Sequence, residues 1–254
     1  MLREEAKLRR RDFLKGLLGC PLCAQAAHAE AVPHWEYLGD RGAEKWAELD
    51  AAFKVCGAGR EQSPIDLKDV IPARIDRLAF DWEPQVFEIA NTGHTIQANV
   101  APGSALRSGG ERYEFKQFHF HTPSEHALNG VRSAMEVHFL HAHPDGRFAA
   151  VGAFLSGGET HAAFAAIMKV APAQEGKARL DQPLDPKALL PAGGALYRYK
   201  GSFTTPPCSE IVEWNVFGAP VTVSEADIGA FRSIFPNNAR PLQPANRRFI
   251  LRGD

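Results

Sequence analysis

Apolar and polar positions alternate with a period of two in Gln117-Phe118-His119-Phe120-His121. In a strand, residues two apart share a face, so Gln117, His119 and His121 line one side while Phe118 and Phe120 enter a core on the other. The alternation returns at Glu136-Val137-His138, inside a run over 134–143 that reads as a second strand. Between the two lies Asn129-Gly130, a favoured turn pair. The second strand is therefore expected to fold back antiparallel and set His138 beside the first two histidines.

Further strand-like runs cover 78–82, 86–91, 95–100 and 112–121, punctuated by Thr92-Gly93, Pro102-Gly103 and Gly109-Gly110. Asp145-Gly146 predicts a hairpin into 148–156, a run apolar on both faces, as a strand covered on both sides must be. Two more strands are expected over 197–202 and 210–217. Helical spacing is confined to the margins. Trp46, Leu49 and Phe53 predict a short surface helix over 43–53, after which the chain turns irregular from Cys56, and a second helix is expected over 160–170. Asp185-Pro186 reads as an N-cap with a first-position proline, and Ser224-Glu225-Ala226-Asp227 as a capping box opening a helix that Pro236 stops. This is a β meander without βαβ alternation, and no linker divides it. The predicted fold class is mainly β: one domain over 30–254 with a large, mostly antiparallel sheet and short peripheral helices.

Composition changes this picture only at the N-terminus. A chain of 254 residues, 44 % hydrophobic and 23 % charged, can bury one substantial core and carries no repeat or disordered composition. Residues 1–29 differ: Arg9-Arg10-Arg11 precede Asp12-Phe13-Leu14-Lys15, a short weakly apolar run and Ala27-His28-Ala29. The stretch from Arg10 to Lys15 resembles a twin-arginine export signal, and the Ala-x-Ala end a signal-peptidase site. Residues 1–29 are thus expected to be removed, leaving the mature chain periplasmic or secreted. Leu17-Leu18-Gly19-Cys20 also resembles a lipoprotein box, but Lys15 leaves almost no apolar run before it, and that run is too short to span a bilayer.

Cleavage removes six of the 29 basic and three of the 30 acidic residues, leaving 23 against 27 and a net charge of −4. With no Lys/Arg patch interleaved with aromatics, that charge argues against nucleic-acid and membrane partners. The mature chain keeps two cysteines, Cys56 and Cys208, which an oxidising compartment would join; two buried free thiols are the alternative.

Three neutral imidazoles with one open position make up the ligand set of a catalytic zinc. Taken alone, a histidine on an apolar face is more often a packed, hydrogen-bonded core residue. Here Gln117 and Glu136 stand two residues before His119 and His138, on the same faces, where each can accept a ring's second N–H. His126 and His141 are expected to be buried structural residues, and His34, His143 and His161 to lie near the surface.

Gln117-Phe-His-Phe-His121, Ser124-Glu125-His126, Met135-Glu-Val-His138, Gly201-Ser-Phe-Thr-Thr-Pro-Pro207 and Arg240-Pro-Leu-Gln-Pro244 resemble, in order and spacing, the α-class carbonic anhydrases. The resemblance runs across about 34–252. It implies a twisted, mainly antiparallel sheet and a zinc ion on His119 Nε2, His121 Nε2 and His138 Nδ1. It implies reversible hydration of carbon dioxide to bicarbonate and a proton by a zinc-bound hydroxide. Thr204 and Glu125 become the hydrogen-bonded pair that orients that hydroxide, and His94, in Asn91-Thr92-Gly93-His94, the proton shuttle. The substrate pocket maps to Leu140, Ala150, Phe203, Thr205 and Trp214, with apolar size redistributed against the family pattern.

Asn246, in Gln243-Pro244-Ala245-Asn246, maps to a second partner of His119, through a stretch one residue shorter than in many animal members. Thr92 stands where many members carry an amide. Cis bonds are implied at Ser63–Pro64 and Pro206–Pro207, and Cys56 and Cys208 resemble the disulfide of exported members. A homodimer stays open, as do two other functions on this fold. A non-catalytic binding or adhesion module would have lost a zinc ligand, and none is lost here. A zinc esterase would need room for an acyl and a leaving group.

Overall fold

The computed structural model describes residues 33–254; the expected export signal over 1–29 lies outside the described residues. The strands are β1 (Asp66–Leu67), β2 (Ile71–Pro72), β3 (Ala79–Asp81), β4 (Glu88–Asn91), β5 (Ile96–Asn99), β6 (Ala105–Ser108), β7 (Glu111–His121), β8 (Ala127–Leu128), β9 (Met135–Ala142), β10 (Phe148–Gly158), β11 (Gly176–Arg179), β12 (Leu196–Gly201), β13 (Val212–Ser224) and β14 (Leu251–Gly253). The α-helices are α1 (Trp46–Leu49), α2 (Val55–Ala58), α3 (Ala162–Val170) and α4 (Glu225–Ile234). All strands but β1 and β8 form one sheet, ordered β11-β4-β5-β7-β9-β10-β13-β12-β14-β2, with β6 joining β3 to β7. Within it β10–β13 and β14–β2 pair in parallel and the other neighbours antiparallel. This is the mostly antiparallel sheet with peripheral helices that the alternation predicts.

Alternation also dictates what each face buries. Phe118 and Phe120 of β7, Val137 and Phe139 of β9, and Val151, Ala153 and Leu155 of β10 pack with Phe164 and Ile167 of α3 and Ile228 and Phe231 of α4. Each fully buried Val, Leu, Ile or Phe side chain among them contributes roughly 1.5–3 kcal/mol. The other face carries Ala150 and Phe154 of β10, Tyr197 and Tyr199 of β12, and Trp214 and Val216 of β13. The two-faced apolarity of β10 thus reflects its place between β9 and β13, covered on both sides.

Local chemistry sets the element ends. Ser224 Oγ accepts from Asp227 N at 3.1 Å and caps α4, while the Asp185 carboxylate accepts from Lys187 N at 2.9 Å and caps a 3-10 turn, Pro186–Leu189. Asn129 and Gly130, at φ +50° and +81°, form their tight turn, but it closes a local hairpin from Leu128 to Val131 within the β7–β9 connection. The helix expected over 43–53 is broken into α1 and a 3-10 turn Ala51–Phe53, and a further helical turn, α2, runs through Cys56, where irregular chain was expected. Asp50 is extended and its carboxylate accepts from Ala52 N at 2.7 Å, restarting the chain mid-way. Nor is this a surface helix: Trp46 and Phe53 are buried with the Cys56–Cys208 disulfide. β13 continues beyond the expected end at 217, because a register shift opposite Ala153 and Leu155 lets Val221 to Ser224 rejoin β10.

Candidate metal centre and its surroundings

Register decides which side chains meet. β7 and β9 pair with Gln117 opposite Leu140, His119 opposite His138, and His121 opposite Glu136. β10 continues these rows with Ala150, Gly152 and Phe154, and β13 sets Trp214 beside Ala150 and Val216 beside Gly152. Cross-strand neighbours share a face, so the histidines adjoin an apolar row of Leu140, Ala150 and Trp214. A Cβ at Gly152 would come within 2.9 Å of Glu136 Oε1; this glycine leaves the space that the carboxylate fills.

Ring nitrogens of His119, His121 and His138 lie within 4.8 Å of one another. The other nitrogen of His119 and of His121 is held from outside the cluster: Gln117 Oε1 is 2.8 Å from His119 Nδ1 and the Asn238 carbonyl 2.8 Å from His121 Nδ1. Glu136 Oε1 lies 2.9 Å from His138 Nε2 without forming a hydrogen bond. Nε2 of His119, Nε2 of His121 and Nδ1 of His138 remain for a ligand. His121 Nε2 is buried without a hydrogen-bond partner. Burial pushes His121 below the ordinary histidine pKa, and enclosure by protein pushes His119 well below it although part of its ring stays accessible. Neutral imidazoles offer lone pairs, so this donor set fits a zinc ion. His126, Glu136 and His138 also lie close enough to ligate a metal, but their polar atoms are engaged with one another.

Glu136 begins a buried chain. Its Oε1 is 2.8 Å from His126 Nδ1, His126 Nε2 is 2.6 Å from the Tyr199 hydroxyl, and that hydroxyl is 2.9 Å from Ser63 Oγ. His126 is thus buried and bonded through both nitrogens.

Glu125 is fully buried. Its Oε1 accepts from Arg240 N at 2.8 Å, while Oε2 has no hydrogen-bond partner and lies 3.5 Å from His121 Nε2 and 3.8 Å from His138 Nδ1. The Thr204–Glu125 hydrogen bond implied by the resemblance is therefore not made: Oε1 is taken by Arg240 N, and Oε2 leans toward the two imidazoles. Thr204 is buried between β12 and β13, next to Phe203, which packs on the Ala150–Trp214 cluster. Thr205 accepts from Cys208 N at 2.9 Å, closing the loop. Cys208, at φ +57°, is joined to Cys56 with a Cα separation of 5.0 Å. Ser63–Pro64 and Pro206–Pro207 are cis as implied, and so is Thr122–Pro123. Trp214 lies 4.7 Å from the His138 ring and donates through Nε1 to Ser202 O at 3.0 Å.

His94 is drawn to the N-terminal segment. Its ring stacks on Trp35 at 3.8 Å and 16°, and its Nε2 is 3.0 Å from Trp35 O. The turn before it is closed by Asn91 Oδ1, which accepts from Gly93 N at 2.9 Å. Asn246 is not a partner of His119: it is exposed and donates to Arg60 O at 2.7 Å, and it is Gln117, as expected, that meets His119 Nδ1. After Pro244 the chain has already left the histidine face. The asparagine that does support a ring is Asn238: its carbonyl holds His121, its Oδ1 accepts from Thr122 N at 2.7 Å, and its Nδ2 donates to His94 O and Phe120 O at 3.0 and 2.9 Å. No periodic signal marks it. Its one clue is its position, two residues before the Arg240-Pro-Leu-Gln-Pro244 motif.

The sequence profile of the family described as eukaryotic-type carbonic anhydrase matches residues 41–253. The chain is 38 % identical to a carbonic anhydrase of Nostoc sp. over 96 % of this chain and 97 % of that protein, and 35 % identical to one of Neisseria gonorrhoeae over 92 % and 94 %. Among solved structures it is similar to the α-carbonic anhydrase of Thermovibrio ammonificans in complex with the inhibitor sulfanilamide. The TM-score is 0.85 at 36 % identity, covering 87 % of this chain and 100 % of that one. Agreement over nearly the whole described length, on a sheet that turns three histidines toward one another, assigns the chain: it belongs to the α-carbonic anhydrase family of enzymes.

Proposed function

We propose that the chain catalyses reversible hydration of carbon dioxide to bicarbonate and a proton, using a zinc ion held by His119, His121 and His138, after export to the periplasm or beyond. The observation that carries this reading is the convergence of three ring nitrogens, with His121 Nε2 buried and unpartnered, at the end of an apolar row. A zinc ion held there would lower the pKa of a bound water to about 7 and so would supply hydroxide at neutral pH.

The chain's own residues do the rest. Uncharged ligands would leave the metal's double charge undiminished, Gln117 and the Asn238 carbonyl fix the tautomer and tilt of His119 and His121, and the Glu136 carboxylate lies against His138 Nε2. Thr204 accepts the nucleophile's hydrogen bond only if its own proton goes elsewhere. Glu125 Oε2, buried and unpartnered, is the acceptor this reading gives it, by turning from the imidazoles toward Thr204. Leu140, Ala150, Phe203 and Trp214, with Thr205 beside them, offer a non-polar gas a wall without a strong binding group, and weak ground-state binding suits turnover. His94 carries the released proton to solvent, a task that suits the side chain whose charge changes near neutrality.

Support for export comes from the disulfide and from the leader-like residues 1–29; among the described residues no helix is long and apolar enough to cross a membrane. All three histidines are retained, so nothing favours a non-catalytic module. Stopped-flow CO2 hydration should require zinc, vanish on chelation and return on adding the metal. Zinc-loaded protein that leaves the buffer rate unchanged would overturn the reading.

A further inference from the structure

Arg240 opens the stretch Arg240-Pro-Leu-Gln-Pro244 and has no part in the reaction described above. Its side chain is 1 % exposed. It donates not to a carboxylate but to two main-chain carbonyls, Nη1 to Ser63 O at 2.7 Å and Nη2 to Cys56 O at 2.8 Å, and Nε has no partner. The guanidinium lies 5.4 Å over the Trp46 ring. The buried Glu125 carboxylate attracts the guanidinium but does not touch it, and burying a cation without a direct carboxylate partner is costly, so its presence asks for a task that a neutral side chain would not perform.

Each contact of Arg240 leads to a different part of the site. Its main-chain N donates to Glu125 Oε1. Cys56 is bonded to Cys208, on the same loop as Thr204. Ser63 presents its hydroxyl to Tyr199, the end of the chain through His126 and Glu136 to His138. A planar fork that holds two carbonyls at once fixes the spacing of their segments, and it also fixes where Arg240's own peptide N meets Glu125.

We propose that Arg240 is a positioning residue: its guanidinium fork sets Glu125 and the Thr204 loop in register with the histidine cluster, without touching substrate or metal. The proposal rests on the carbonic anhydrase reading. It deepens that reading by separating the residues that hold the metal from the one that aligns the orienting pair.

The test uses zinc-loaded wild type, Arg240→Lys and Arg240→Gln. Zinc content, melting temperature, CO2 hydration, and affinity for a primary aromatic sulfonamide and for thiocyanate are measured on each. A sulfonamide anion keeps one N–H, which needs a Thr204 oxygen free to accept it, with the hydroxyl proton turned toward Glu125; thiocyanate has no proton to place. Arg240→Gln should keep its zinc, lose about tenfold or more in sulfonamide affinity and hydration, and hold thiocyanate within about threefold. Arg240→Lys, which keeps the charge but not the fork, should fall between. Wild-type sulfonamide affinity in Arg240→Gln overturns the proposal, and so does an equal loss for both inhibitors, the mark of a merely loosened fold. If Arg240→Gln does not fold, the same ratio in Arg240→Lys decides. Wild-type protein that neither hydrates CO2 nor binds sulfonamide removes both readings; active wild type with an indifferent Arg240→Gln removes this one alone.

Discussion

His138 and His141 stand three residues apart on β9 and are buried alike, at 2 % and 0 % exposure. The odd spacing sends them to opposite faces of the sheet. His138 meets His119 across the strand pair and has Glu136 behind its Nε2. His141 lies between Trp82, at 5.5 Å and 15°, and Phe115, at 4.7 Å and 24°, with Nδ1 3.2 Å from Ala149 O and Nε2 unpartnered. One has convergent polar company and the other aromatic company. Burial therefore identifies neither role; the direction set by register, and the groups that register brings alongside, separate a candidate ligand from a packed ring.

The sharpest way to break the comparison is His138→Ala. It should release zinc and abolish hydration, as metal analysis and stopped-flow assay would report. Hydration that persists in the metal-depleted variant would mean that the polar company of His138 is not a metal site. Next in size is Thr204→Ala, on the loop that packs against this face. It should keep its zinc yet lose about a hundredfold in kcat/KM, the scale of one lost preorganised hydrogen bond, and weaken sulfonamide inhibition in step. An unchanged inhibition constant would show that Thr204 does not hold the group bound at the metal.

A smaller effect is expected from His94→Ala, whose ring now rests on Trp35. Turnover in dilute buffer should fall by about tenfold while kcat/KM holds, and added imidazole should restore much of it. Equal turnover of variant and wild type in dilute buffer would leave His94 as a partner of Trp35 and nothing more.

What was legible in the sequence follows from how local its cause is. Period-two alternation is a property of neighbouring residues, so the shared face of Gln117, His119 and His121 could be read directly, as could the two-faced burial of β10. The break at Asp50 was not, because a carboxylate that caps Ala52 competes with an apolar spacing that still looks helical. Thr204 and Glu125 stood out only through their motifs, since a loop threonine and a lone carboxylate carry no periodic mark. Asn238 escaped because its support of His121 runs through a main-chain carbonyl, which any residue type could supply, and depends on how the chain returns after α4. Asn246 was implied only by the resemblance, through a stretch one residue shorter than the family pattern, and its amide serves Arg60 instead.

The smallest effect on activity, and the one that tests the aromatic half of the comparison, is His141→Phe. Burial pushes His141 down to about 3 from an ordinary 6.5. Between these values the unfolded chain binds a proton at this position that the folded chain does not, so stability rises with pH across the window. The contribution is fully present above the unfolded value and is lost progressively as pH falls from 6.5 toward 3. By about pH 5 the loss amounts to about 2 kcal/mol. Phenylalanine keeps a flat ring between Trp82 and Phe115 but takes up no proton. Whatever constant offset the substitution introduces, the unfolding free energy of the variant minus that of wild type should therefore climb by about 2 kcal/mol from about pH 7 to about pH 5. Urea unfolding of metal-stripped protein at each pH reads this difference, because the site histidines titrate alike in both proteins and cancel. Hydration at neutral pH should be unchanged. A difference that stays flat with pH would show that His141 accepts a proton within the fold, and that its aromatic surroundings do not exclude charge as the geometry implies.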